Sequence, residues 1–143
     1  MELRPQSGQA APWPFRPPPH MAPERKRLQQ AGIESWAALA RLDDRRLRQL
    51  AASGEASEAR LIRLRGQARL VTEVGLAPDE AALLLHGGIA STTGLADADP
   101  QRLLLQLGRL QRRLTGSAVP PLELPRVLDW IRRARRSTGR SPN

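Results

Sequence analysis

Arginine is the residue type with which this chain could do most chemistry. The sequence has 23 basic residues against 14 acidic ones, and Lys26 is its only lysine. Nearly all of the positive charge is therefore guanidinium, a planar group that donates paired hydrogen bonds to phosphate or carboxylate oxygens. The net charge of +9 predicts an anionic partner, either nucleic acid or an acidic protein. A coding bias toward arginine would explain the missing lysines but not the shortage of acids.

The basic residues form clusters along the chain. Arg25-Lys26-Arg27 lie near the beginning of the sequence. The densest group lies near its end and consists of Arg132, Arg133, Arg135 and Arg136. Two groups between them consist of Arg41, Arg45, Arg46 and Arg48, and of Arg60, Arg63, Arg65 and Arg69. A solvated helix face is the usual meaning of a single cluster. Several clusters together favour a surface that contacts phosphates.

The same inventory of residues argues against catalysis and metal binding. The chain has no cysteine and only two histidines, so thiolate zinc sites and disulfide bonds are excluded and no metal site is expected. No phosphate-binding P-loop, dinucleotide fingerprint or pair of catalytic acids occurs. His86 precedes two glycines at an expected helix end, where it complements the helix dipole. We therefore predict a protein that is not an enzyme and uses no cofactor.

The N-terminal residues 1–22 are rich in proline, which predicts a flexible or extended tail. Trp13, Phe15 and Arg16 are its conspicuous side chains, and they could insert into a groove on a partner. Alternatively, the tail folds over its own domain or remains free. No run reaches the roughly 20 apolar residues of a membrane span, and no signal peptide is recognisable. We expect a cytoplasmic protein that does not contact membranes.

From residue 23 onward the sequence repeats itself. Helix-starting prolines (Pro23, Pro78), helix-ending glycines (Gly32, Gly88), capping serines (Ser35, Ser91) and capping aspartates (Asp43, Asp99) occur in matched order. A last helix follows in each copy, with Leu61, Leu64 and Ala68 matching Val127, Trp130 and Ala134. Strand patterns are missing. The sequence predicts an all-α fold of two helical repeats, about 23–72 and 73–136, packed as one compact domain before a flexible basic C-terminus at 137–143.

Val74-Gly75-Leu76-Ala77-Pro78 resembles the turn of a helix-hairpin-helix motif, and the repeats are similar to the helical units of SAM and helix-hairpin-helix domains. The span from about 23 to 136 also resembles a bacterial family of tandem helix-hairpin-helix-like repeats, domain of unknown function 4332. The residues that support this second resemblance are Pro125, Val127, Trp130-Ile131 and Ala134. The resemblance implies the fold and a DNA-binding ancestry.

In such motifs the backbone N–H groups of the turn bind a phosphate. Each repeat here has only part of that arrangement, because Gly75 is followed by Ala77 and two acids, whereas Arg25-Lys26-Arg27 lack the glycine step. We predict sequence-tolerant binding of DNA or RNA through Arg25, Lys26, Arg27, Gly75 and the C-terminal arginines. The alternative is an adaptor whose basic helices and tail dock an acidic protein. That alternative predicts that deleting residues 1–22 abolishes partner capture without changing stability. The sequence leaves the oligomeric state open.

Overall fold

A computed structural model describes residues 13–115 and 121–139 of the chain. Within these residues it shows eight α-helices and no strand, packed as a compact domain. The helices are α1 (Ala22–Gln30), α2 (Trp36–Ala40), α3 (Asp44–Ala51), α4 (Glu58–Arg69), α5 (Pro78–His86), α6 (Thr92–Ala96), α7 (Pro100–Thr115) and α8 (Leu124–Ser137). The predicted all-α fold is confirmed. None of the helices in the described residues has the length and apolar character needed to cross a membrane.

Local hydrogen bonds set the beginnings of several helices. The hydroxyl of Ser35 accepts from the Ala38 amide at 3.0 Å, and that of Ser91 accepts from the Gly94 amide at 2.9 Å. These bonds satisfy N–H groups that the first helical turn leaves without partners. Asp43 caps α3 in the same way, through the Arg46 amide at 2.8 Å. The capping roles predicted for these three side chains are confirmed.

The two halves of the chain share one hydrophobic core. Trp36 of α2 and Trp130 of α8 are both almost fully buried, as are Leu39 and its counterpart Leu95. They belong to one continuous cluster of apolar side chains. Burial of a large apolar side chain contributes about 1.5–3 kcal/mol, so this cluster is the main source of the stability of the domain.

Helix α4 and the segment after it join the halves. A π-helical turn, Leu70–Val74, continues from α4 and ends at Gly75, whose φ of +85° is left-handed. Gly66 lies against the second half, because a Cβ at this position would approach the carbonyl oxygen of Ala90 to 2.7 Å. The Gln67 side chain donates to the Pro78 carbonyl oxygen at 2.9 Å. These contacts lock the two halves together.

The packed part of the chain begins before the predicted boundary at Pro23. Residues Pro19–Met21 form a short 3₁₀ helix that leads into α1, and Met21 is buried in the core. The Trp36 indole donates to the Pro14 carbonyl oxygen at 2.9 Å, and the ring of Phe15 packs edge-to-face on that of Trp36, with 4.9 Å between centroids. Apolar side chains among the prolines draw the segment from residue 13 onto the helices, because burying them is favourable.

Candidate nucleic-acid interface

The second hairpin turn is held by Glu80 at the start of α5 and by two arginines of α8. Glu80 accepts a hydrogen bond from the Ala77 amide at 3.0 Å, and its other carboxylate oxygen lies 3.1 Å from the guanidinium of Arg126. Arg133 reaches across from α8 and donates to the Gly75 carbonyl oxygen at 3.3 Å. The structure therefore brings together Gly75 and Arg133, two of the predicted site residues. The Ala77 amide, however, is not open to a phosphate, because Glu80 already occupies it.

The first basic cluster is divided between packing and solvent. Arg27 donates from Nε to the Leu50 carbonyl oxygen at 3.1 Å and so braces α1 against α3. Arg25 and Lys26 are exposed. Glu24 beside them is buried and accepts from the Ser57 amide at 2.8 Å, at the start of α4. Of the three predicted residues, Arg25 and Lys26 are thus exposed and form no ion pair within the described residues, whereas Arg27 is used in packing.

The C-terminal cluster is also partly occupied. Asp129 lies 3.0 Å from Arg133 and 3.8 Å from Arg132, so one carboxylate serves both guanidinium groups. Arg135 is half-buried and donates to the Ala96 carbonyl oxygen at 3.0 Å. Arg136 is exposed and makes no ion pair within the described residues. The densest run in the sequence thus has only one fully open arginine.

Two arginines of α4 serve the fold in a similar way. Arg65 is buried, donates to the Leu42 carbonyl oxygen at 3.0 Å and lies 2.7 Å from the carboxylate of Asp44. Arg69 donates to the Ala40 carbonyl oxygen at 3.2 Å. The hydrogen bond from Arg65, and then its charge, lowers the pKa of the Asp44 carboxyl below its ordinary value. Both arginines hold the loop and helix that precede α3.

Helix α7 presents a basic surface that the sequence reasoning did not single out. Arg102, Arg109 and Arg113 recur at spacings of seven and four residues, which places them on one side of a helix. We call these three residues the α7 arginine face. All three are exposed, whereas Leu103 and Leu107 on the other side of α7 enter the core. With a rise of 1.5 Å per residue the face is roughly 16 Å long.

No opposing charge lies on this helix. The sequence of α7 contains no aspartate or glutamate, and none of its arginines forms an ion pair within residues 13–115 and 121–139. A groove of about 410 Å³ runs along the face and is bordered by His86 at the end of α5. Gln106, between the arginines, donates to the Gly87 carbonyl oxygen at 2.7 Å and ties α7 to that helix end. The spacing of the arginines and the absence of acids could have identified this surface from the sequence.

The tail residues lie close to the domain in the structure. Phe15 is half-buried on Trp36, and Arg16 is exposed beside it. Trp13 keeps 39% of its surface exposed and borders a cleft of about 980 Å³ that Gly75 also lines. Among the described residues no group of three histidine, aspartate or glutamate side chains is arranged to hold a metal ion. The part of the tail that the structure describes therefore packs on α2 through Phe15 and leaves the indole of Trp13 exposed.

These features define a class: a compact all-α domain whose two halves contain the same order of helices and which carries several exposed arginines that form no ion pair within the described residues. The chain belongs to the family described as Domain of unknown function (DUF4332), whose model matches residues 18–137. The resemblance to this family, drawn from the tryptophan-isoleucine ending, is thereby confirmed. No curated protein and no solved structure matches the chain.

Proposed function

We propose that this domain binds nucleic acid by contacts between arginine side chains and backbone phosphates, without reading base sequence. The observation that supports the proposal most directly is the α7 arginine face, which has three exposed guanidinium groups and no acid on the same helix. Positive charge that the protein does not neutralise itself attracts phosphates and releases their counterions. The net charge of +9 adds a long-range attraction.

The proposal includes a tandem helix-hairpin-helix-like architecture. Two features support it: the left-handed Gly75 before α5, and the matched caps of Ser35 and Ser91. The proposed binding mode nevertheless differs from that of the motif. Because Glu80 occupies the Ala77 amide, phosphate contacts come from helix faces rather than from the turn. The turn then acts as a packing element.

The occupied turn also favours a second candidate, an adaptor that docks an acidic protein on the same arginines. Carboxylates and phosphates present similar oxygens to a guanidinium group, so the α7 arginine face suits both. The nucleic-acid proposal accounts better for arginines spread over several helices, because phosphates repeat regularly along an extended partner. A synthetic polyglutamate peptide, measured beside oligonucleotides, separates the two.

The test measures binding of fluorescent DNA and RNA oligonucleotides by anisotropy at 50 and 200 mM salt. With about six phosphate contacts, affinity falls roughly a thousandfold between these conditions. Replacing Arg102, Arg109 and Arg113 by glutamine weakens binding and makes it less sensitive to salt. The matched control replaces Arg45, Arg60 and Arg63, which are also exposed and lie on α3 and α4. We expect this control variant to retain more affinity. Absence of binding at 50 mM salt, or affinity that ignores salt, contradicts the proposal.

A further inference from the structure

We propose that the groove along the α7 arginine face binds a single strand of nucleic acid in preference to a duplex. This inference rests on the proposed function and specifies the form of its ligand. Three properties of the groove support it: its shape, an apolar side chain between the arginines, and the way the arginines are spaced on one rigid helix.

The shape of the groove suits a thin and flexible chain. It lies between α7 and the end of α5, with His86 on one border and Arg102, Arg109 and Arg113 along its length. A duplex is stiff, with a persistence length of about 50 nm, so it cannot bend into a short groove without a cost in free energy. Here the Gln106 bond to Gly87 holds the α7 surface beside the end of α5. The α7 arginine face therefore borders a groove instead of projecting from the protein, and a single strand can follow this groove.

Leu105 gives the groove an apolar contact point. It is 63% exposed, the highest value among the exposed large apolar side chains of the described residues, and it lies one turn from both Arg102 and Arg109. A duplex stacks its bases inside and presents charged phosphates at its surface, so it would leave Leu105 without an apolar partner. A single strand exposes the faces of its bases, which apolar side chains and guanidinium planes can cover.

The spacing of the arginines favours a strand that can adjust. Arg102 and Arg109 are separated by roughly 10 Å along the axis of α7, and Arg109 and Arg113 by roughly 6 Å. All three belong to one helix, so their Cα atoms stay at these intervals and only their side chains can adjust. A single strand has rotatable bonds between its phosphates and can bring them to these unequal intervals. A duplex holds its phosphates at regular positions, and so it reaches fewer of the three guanidinium groups.

The experiment compares a labelled oligothymidylate with a labelled duplex of equal length, using the full chain at 50 mM salt. We expect the single strand to bind at least about tenfold more tightly, which corresponds to one additional interaction of about 1.4 kcal/mol. Replacing the three arginines of the face by glutamine removes this preference. Leu105→Ala weakens single-strand binding about fivefold, as expected when a leucine that becomes partly buried against a base is lost. The same substitution leaves duplex binding unchanged.

Ile62→Ala is the matched control, because Ile62 is exposed on α4, away from the groove, and its loss should change neither affinity. Circular dichroism of each variant verifies that it is folded. Equal or tighter duplex binding, or a Leu105→Ala variant with unchanged single-strand affinity, overturns the inference while the proposed function stands. If neither oligonucleotide binds, the proposed function fails as well. If polyglutamate binds at the face and neither oligonucleotide does, the inference is also overturned. That result would assign the surface to an acidic protein.

Discussion

Arg69 and Arg135 make the same hydrogen bond in the two halves of the molecule. Arg69 donates from Nε to the carbonyl oxygen of Ala40 at 3.2 Å, and Arg135 donates from Nε to that of Ala96 at 3.0 Å. Ala40 and Ala96 are the last residues of the short helices α2 and α6. In each half, an arginine near the end of the last helix thus satisfies a carbonyl group that the short helix leaves without a partner.

Replacing Arg135 by alanine is expected to lower stability, because the Ala96 carbonyl loses its charged donor in a half-buried position. A hydrogen bond to a charged group contributes about 1.5–3 kcal/mol, and partial exposure places the expected loss near the lower value. Thermal unfolding should show a melting temperature lower by several degrees. Arg136→Ala, at the exposed neighbouring position, is the control and should leave the melting temperature nearly unchanged. Equal effects of both variants would show that the Arg135 bond is unimportant.

Alanine at Gly66 is expected to destabilise the domain, although alanine favours a helix over glycine by about 1 kcal/mol. Its Cβ would lie 2.7 Å from the Ala90 carbonyl oxygen, a backbone atom that cannot move alone. Overpacking costs about 1–3 kcal/mol, and a clash with a backbone atom favours the upper part of this range, which exceeds the gain of about 1 kcal/mol in helix propensity. Gly108→Ala is the control, because a Cβ there meets nothing within 4 Å. Chemical denaturation should show a loss for Gly66→Ala and a gain for Gly108→Ala, and a gain for both would refute the close contact.

The ion pair of Asp44 and Arg65 predicts a dependence of stability on pH. Because Arg65 lowers the pKa of Asp44 in the folded protein, the charged carboxylate is favoured by folding. The contribution is fully present above the unfolded pKa of about 3.9 and is lost as the pH falls through the lower folded value. Asp44→Asn should therefore be less stable than the parent at pH 7, and the difference should shrink at acid pH.

The measurement for Asp44 is the melting temperature of both proteins between pH 7 and the acid limit of folding. Glu34→Gln controls for the loss of one negative charge, because Glu34 is exposed and forms no ion pair within the described residues. A difference between Asp44→Asn and the parent that stays constant over the whole pH range would exclude the ion pair as its origin.

Removal of the aromatic ring at position 15 is expected to destabilise the fold. Phe15 packs on the ring of Trp36, and an aromatic pair of this geometry contributes about 0.5–1.5 kcal/mol beyond its buried area. Phe15→Ala should lower the melting temperature and change the fluorescence of Trp36, whereas Arg16→Ala at the exposed neighbouring position should do neither. Deleting residues 1–22 should destabilise further, because Met21 is also lost from the core. An unchanged melting temperature after that deletion would instead support a free tail.

The candidate site was predictable only in part. The density of C-terminal charge drew attention to Arg133 and the resemblance to a hairpin turn to Gly75, and the structure brings these two residues together. The sequence predicted both Arg135 and Arg136 as binding residues. In the structure Arg135 donates to the Ala96 carbonyl oxygen, and Arg136 remains exposed to solvent. A count of charges cannot separate these cases, because a guanidinium group that binds a carbonyl oxygen looks identical in the sequence to one that binds nothing.

The sequence by itself determined where several helices begin and end and that the chain is all-helical. Ser35 and Ser91 cap helices through amides three residues away, so their partners lie within the same short stretch of sequence. The tertiary structure alone decided which arginines are available to a ligand. Arg69 and Arg135 find their acceptors 29 and 39 residues earlier in the chain. Such partners meet only when the helices pack, and packing depends on burial of the whole core rather than on any local pattern.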